Sequence, residues 1–306
     1  MRVAAVQLQP VIGDIDANLA ACESLAGRAA AEGAEWIVLP EFFTTGVGFF
    51  PELAHRSLPP DGDATKLLLS LARRHGANVG GSFLCRDADG HVRNAFFLAT
   101  PEGIAGRHDK DIPTMWENCF YVGGEDDGLI EANGLTAGVA LCLEFNRTRT
   151  LKRLRGKADI VVGGSFKWGA PAWMPFRGRL QASIERYTDW APRFARLVGC
   201  PVVEATHCGA LRCKTPMLPL VYDTSLVGGA NVCDAYGNVL ARRDACEGEG
   251  VVVADVEAVR VEPDEPMPQG FWIQELDPLS KAGWHVQGRH GRSWYRRHVA
   301  PTAVRD

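Results

Sequence analysis

Val3-Ala4-Ala5-Val6-Gln7-Leu8-Gln9 and Trp36-Ile37-Val38-Leu39-Pro40-Glu41 are the two stretches that decide how this chain folds. The first predicts a strand over Val3–Gln9, ended by the turn Pro10–Asp14. The second is apolar without alternation, the pattern of a strand covered on both faces, and it stops abruptly at Pro40-Glu41. Between them Leu19, Cys22, Leu25, Ala26, Ala29 and Ala30 recur at helical spacing, with Asp16 placed to cap the helix and Gly33 to stop it. Strand, helix, strand in that order is the βαβ unit of an α/β domain.

The pattern returns outward from there. Asp63 is placed to cap a helix through Leu67, Leu68, Leu71 and Ala72 that closes at Gly76. Strands Asn78–Arg86 and Val92–Thr100 flank the hairpin turn Asp87-Ala88-Asp89-Gly90, and Pro101-Glu102-Gly103 leads into a strand reaching His108-Asp109-Lys110. Then come strand Thr136–Leu143, a basic helix over Arg147–Lys157, strand Ile160–Val162, and a mainly helical segment Ala172–Gly199 broken at Pro175 and Pro192. Strand Val202–Ala205, a hairpin of Ser225–Cys233 with Val239–Arg242, and strand Val251–Val256 complete the regular part. Hairpins and βαβ units together cover both faces of such strands only when two sheets stack. The expected fold is therefore a four-layer α-β-β-α sandwich, in preference to one doubly wound sheet. Residues 1–262 read as one domain. Residues 263–306 read as an irregular tail, opened by Pro263, Pro266 and Pro268; its Trp272, Trp284 and Trp294 are too apolar to stay free, so docking on the domain or on a partner subunit is expected.

Length and charge narrow the function classes. With 306 residues and 46% hydrophobic content the chain can bury one large core. Lys and Arg total 33 against 37 Asp and Glu, a net charge of −4, which argues against a binder that coats nucleic-acid phosphates. The local exception, Arg289–Arg305 with His290, Arg292, Arg296, Arg297 and His298, reads as a solvated or subunit-facing terminus. No apolar run reaches the roughly eighteen residues of a membrane helix, and the N-terminus runs straight into a strand without a secretory signal. Nine cysteines are too sparse and odd in number for a disulfide framework, so a reducing cytoplasm is expected. The question becomes whether one of the nine is reactive.

In α/β folds reactive groups gather where strands end on their carboxyl side. Glu41, Lys110 and Cys142 all follow or end predicted strands. A thiol needs a base, a carboxylate with a raised pKa can serve, and an ammonium can hold the oxyanion of a tetrahedral intermediate. Singly, each has an ordinary reading: a packed cysteine, a capping carboxylate, a surface lysine. Cys200, His207, Cys208 and Cys213 match no zinc spacing, and no metal or cofactor is called for. A Cys–His arrangement through His108 or His207 is the alternative thiol chemistry.

Six segments resemble the nitrilase superfamily of carbon–nitrogen hydrolases. Val3–Leu8 is similar to its opening strand, and Gly33–Phe42 to its segment ending in a catalytic glutamate. His108–Pro113 resembles its catalytic-lysine segment, Gly138–Glu144 its nucleophile strand, and Glu117–Gly123 its glutamate-aromatic-glycine segment. Ser225–Leu240 is similar to a late hairpin, with Ala235 where proline is usual. The resemblance implies the α-β-β-α sandwich, Glu41 as general base, Lys110 as oxyanion stabiliser, Cys142 as nucleophile and Glu117 as a second acid that positions the substrate. It also implies a homodimer or higher homo-oligomer. The matched segments place Trp116, Phe120, Tyr121, Phe166, Trp168 and Trp173 near the reacting centre. Leu143, Glu144 and His207 complete the expected substrate contacts, and Arg147 and Arg149 are candidates for a substrate carboxylate or for a local acid. Leu143 stands where many nitrile-hydrolysing relatives carry tryptophan. The expectation is a hydrolase turning a small amide into acid and amine through a Cys142 thioester. A nitrilase working through a thioimidate, or a catalytically silent binding protein, are the alternatives.

Overall fold

The computed structural model describes residues 1–175, 177–214 and 220–301. Strand β1 (Arg2–Leu8), helix α1 (Ile15–Ala31) and strand β2 (Trp36–Val38) form the opening unit. Helix α2 (Asp63–His75) precedes three antiparallel strands, β3 (Asn78–Arg86), β4 (Val92–Thr100) and β5 (Gly103–Asp109). The second half runs β6 (Leu129–Ala132), β7 (Leu135–Val139), α3 (Thr148–Leu154), β8 (Ile160–Gly164), α4 (Arg177–Glu185), α5 (Trp190–Val198) and β9 (Val202–His207). A small hairpin, β10 (Ala210–Lys214) with β11 (Val221–Ser225), is followed by β12 (Gly228–Cys233), β13 (Val239–Asp244), β14 (Gly250–Asp255) and α6 (Pro278–His298).

The strands make two six-stranded arrays, ordered β14-β1-β2-β3-β4-β5 and β13-β12-β9-β8-β7-β6. They join where Gln7 and Leu8 of β1 pair with Thr206 and His207 of β9. Period-2 alternation explains the stacking. Val3, Ala5, Trp36, Val38, Phe96 and Leu98 point inward and meet Ile160, Val162, Val203 and Ala205 of the other array. The residues between them, Ala4, Val6, Ile37, Ala95 and Phe97, point outward and pack beneath α1 and α2. Val161 and Val202 do the same beneath α3 and α5. The fold is the four-layer α-β-β-α sandwich.

Local differences from the sequence reading have local causes. The α1 cap is Asp14, whose side chain accepts from Ala17 N, and Asp16 lies inside the first turn. Gly62 caps α2, with Asp63 as its first helical residue, while Gly76 closes it in the left-handed conformation as expected. Pro192 does not break a helix: it sits in the first turn of α5, where its missing N–H has no partner to lose. Ser225 belongs to the β10–β11 hairpin, not to β12. Strand β7 stops at Val139, before Cys142.

The tail departs most from expectation. Its end is no irregular segment but the 21-residue helix α6, capped by Asp277; Arg305 lies outside the described residues. The helix docks on its own domain. Ile273 N bonds Asn146 O at 2.9 Å, the His290 ring stacks on Trp116 at 5.3 Å, and the Tyr295 hydroxyl accepts from Val92 N at 3.0 Å. Among the described residues no helix is long and apolar enough to cross a membrane.

Candidate active site

Two glycines let the site assemble. A Cβ on Gly163 would lie 1.7 Å from the Ala140 carbonyl oxygen, and one on Gly164 would lie 2.2 Å from Glu41 N. Strand β8 can therefore press against the segments that carry Cys142 and Glu41, as no side-chain-bearing residue could.

Glu41 follows β2 through Leu39-Pro40 and is fully buried. One carboxylate oxygen accepts from Lys110 Nζ at 2.7 Å and from Asn94 Nδ2 at 2.9 Å; the other accepts from Phe166 N at 3.2 Å. Lys110 follows β5, and its ammonium also donates to Glu117 at 2.8 Å. Glu117 sits on the 3₁₀ turn Met115–Cys119 and additionally accepts from the Tyr121 hydroxyl at 2.5 Å and from Thr114 N at 3.0 Å. One lysine thus holds two carboxylates.

Cys142 opens a 3₁₀ turn after β7 with φ of 52°. A non-glycine residue in that left-handed region costs about 1–3 kcal/mol and persists only where its surroundings hold it. Glu144 supplies the hold: it accepts from Leu141 N at 2.9 Å and from Asp111 N at 3.0 Å, tying the cysteine turn to the residue after Lys110.

Burial and neighbours split the acids and bases. Burial pushes the Glu41 carboxyl up to about 7, against the pull of Lys110 and with a further push from Glu117. Burial likewise pushes the Cys142 thiol up to about 12, Glu41 adding to the rise and Lys110 opposing it. For Lys110, burial works against the charge, but Glu117 and Glu41 outweigh it and hold the ammonium well above its ordinary range. Glu144 goes the other way: burial is overcome by His108 and Arg153, and its carboxyl lies well below the usual value.

Cys142 and Glu117 line a cavity of about 310 Å³ whose other walls are largely apolar. Trp116, Phe120, Leu143, Phe166 and Trp168 line it, as expected from the sequence. Glu144 does not; it is fully buried and bonded to His108 and backbone. Nor does His207, whose Nε2 meets the Glu41 carbonyl at 2.7 Å behind Phe166. Trp173 is half exposed and donates to Val221 O. Arg147 is buried against Asp111 and the Ile112 carbonyl, and Arg149 reaches out beside the same aspartate. Neither histidine offered as a thiol partner is bonded to sulfur: His108 is held by Asp126 and Glu144.

Among the cavity residues that the sequence reading missed, three groups stand out. Lys167 lines the wall and pairs with buried Glu204 at 2.5 Å; a charge three residues past the end of β8 was the available signal. Tyr187 and Trp190 come from the α4–α5 region, and Leu279 and Gly283 from α6. Nothing local announces those, because they reach the cavity through long-range packing.

Fold and site together define an α-β-β-α sandwich with a buried lysine, two carboxylates and a thiol gathered beside one cavity. The profile of the carbon-nitrogen hydrolase family matches residues 2–265, and the chain belongs to that family. It is 30% identical over 172 residues to a nitrilase of Pyrococcus abyssi, covering 53% of this chain and 63% of that one. It is 34% identical over 180 residues to omega-amidase NIT2 of Danio rerio, covering 54% and 63%. The matches thus span under two thirds of the length of these two relatives. Among solved structures, a carbon-nitrogen hydrolase from Helicobacter pylori G27 superposes with a TM-score of 0.73 at 16% identity, over 84% of this chain and 90% of that one. An amidase from Nesterenkonia sp., with a TM-score of 0.66 at 19% identity, is covered to 91% by 85% of this chain.

Proposed function

We propose that the protein is an amidase that hydrolyses a small amide through a thioester on Cys142. The observation that carries this reading is a lysine bridging two carboxylates, one of them poised near neutrality, around a thiol on a left-handed turn at the wall of an apolar cavity.

The roles follow from that arrangement. Glu41 takes the Sγ proton as sulfur bonds the amide carbon. The carbonyl π pair moves onto oxygen, where the Lys110 ammonium and the Leu143 N–H donate to it. Because burial holds the thiol far above Glu41 in proton affinity, thiolate is not the resting form; the proton passes as the C–S bond forms. Glu41 then gives the proton to the departing nitrogen, the C–N bond breaks and the thioester remains. Water loses a proton to Glu41 and attacks, the C–S bond breaks, the sulfur is reprotonated and the acid leaves. Glu117 fixes the Lys110 ammonium and presents its carboxylate to the amide N–H.

A nitrilase reading is favoured by the curated nitrilases among the relatives, and in it the same sulfur forms a thioimidate. Ammonia release from matched amide–nitrile pairs separates the two. Intact-mass analysis of the wild-type enzyme, acid-quenched during turnover, should show one acyl adduct, mapping to Cys142 and absent from Cys142→Ala. A modified residue elsewhere, or no cysteine dependence of turnover, would remove the proposal.

A further inference from the structure

The geometry points to a large, uncharged, apolar acyl group as the occupant of the cavity, with Gly283 of the chain's own C-terminal helix as the residue that leaves room for it. This rests on the amidase reading for the chemistry but not for the binding.

The charge around the cavity is already matched. Lys110 is held by two carboxylates. Lys167, the cation lining the wall among the described residues, is 3% exposed and paired with Glu204. That glutamate also accepts from the Ser165 hydroxyl at 2.5 Å and from Asn231 Nδ2 at 3.0 Å. A substrate carboxylate would therefore shed its water without gaining an unpaired cation, and it would enter beside Glu41, Glu117 and Glu204; such burial is strongly unfavourable. Within its walls, themselves buried, lie spare donors of a milder kind. The indole N–H groups of Trp116 and Trp190, both buried and both on lining residues, have no acceptor among the described residues. Their neighbours Phe49, Phe166, Trp168 and Leu279 offer apolar surface and aromatic edges. Such walls suit an alkyl or aryl chain, with at most a neutral oxygen to accept from an indole.

Helix α6 closes the cavity in cis. Leu279, Ser280, Gly283 and Gln287 lie on one face of it and line the space. The helix carries glycines for two different reasons. Gly291 is required by packing, since a Cβ there would lie 2.8 Å from Asn118 Cβ and 2.9 Å from Cys119 N. Gly283 is not: a Cβ there would meet Gln287 Nε2 at 3.6 Å and Met115 at 3.8 Å, ordinary contact distances. A glycine in a helix interior weakens the helix, and neither backbone nor packing asks for this one. What it keeps open is the cavity beside Met115 and Cys142.

The test measures binding by isothermal titration on the Cys142→Ala variant, with acetamide, hexanamide, 3-phenylpropanamide and succinamate as probes. At about fourfold per buried methylene, hexanamide and 3-phenylpropanamide should bind at least tenfold more tightly than acetamide, and succinamate no better than acetamide. Adding Gly283→Leu should weaken 3-phenylpropanamide about tenfold or more and leave acetamide within about twofold. Gly283→Ala, which adds helix propensity, should raise the melting temperature and serves as the folding control. Tighter binding of succinamate than of hexanamide, or an unchanged order of affinities in Gly283→Leu, overturns the inference. If the apolar amides bind in the expected order but wild-type enzyme releases no ammonia from them, the amidase reading falls and the assignment of the cavity stands.

Discussion

Glu41 and Glu144 are the same residue type, both with no solvent exposure, yet their proton affinities move in opposite directions. Burial raises both. Glu144 answers it with His108, which it shares with Asp126, with Arg153 at 3.9 Å and with the backbone N–H groups of Leu141 and Asp111. Glu41 has one ammonium, shared with Glu117, whose charge pushes the proton affinity back up. The lesson is that a buried carboxylate is held up when a second acid crowds its one cation, and held down when two cations and backbone N–H donors face it.

Substitution should break the comparison most visibly. Glu41→Gln removes the base while Lys110 keeps Glu117, so kcat should fall by on the order of 10³ with the melting temperature unchanged or higher; calorimetry beside ammonia-release kinetics reads both. Glu144→Gln should do the reverse in kind. It leaves Arg153 without its acid and His108 with Asp126 alone, and it loosens the cysteine turn, costing about 3–5 kcal/mol in urea unfolding, with activity lost in step with folded protein.

Titration sharpens the contrast with smaller effects. His108 is raised to about 9, because Glu144 and Asp126 outweigh a burial that alone would lower it. Its contribution to stability is full below pH 6.5 and lost as pH rises through about 9, a change on the order of 3 kcal/mol. Unfolding free energies measured across that window should decline, and His108→Gln should flatten the decline. Glu41 must be ionised to act, so kcat/KM should drop tenfold per unit as pH falls below about 7. A plateau extending down to pH 5 would show that Glu41 is not held up and that the division of charge argued above is wrong.

Much of the fold was legible because it depends on local pattern. The β3–β4 hairpin was read to its end residues, since nine-residue apolar runs on either side of Asp87–Gly90 admit one register. The doubled burial of Trp36–Val38 and the mixture of hairpins with βαβ units required two stacked sheets. The C-terminal helix was missed because three prolines precede it and its glycines lower its helix propensity; Asp277 and the pairing with the Met115–Cys119 turn provide what propensity does not. For the site, strand ends announced Glu41 and Lys110, and the same rule applied to β8 would have found Lys167. Glu144 was misplaced as a substrate contact because sequence proximity to Cys142 does not say which way a side chain turns from a left-handed elbow.

The order of short-range signals in the chain was enough to specify two stacked sheets and to nominate a thiol, an ammonium and a base, since periodicity and strand ends are properties of neighbours in sequence. Which carboxylate shares its cation, which is saturated, and how far α6 leans over the cavity were decided only in three dimensions. Proton affinity and cavity shape depend on distances between residues far apart in the chain, such as Tyr222 and Phe49 or Leu279 and Trp116, and no local pattern encodes those.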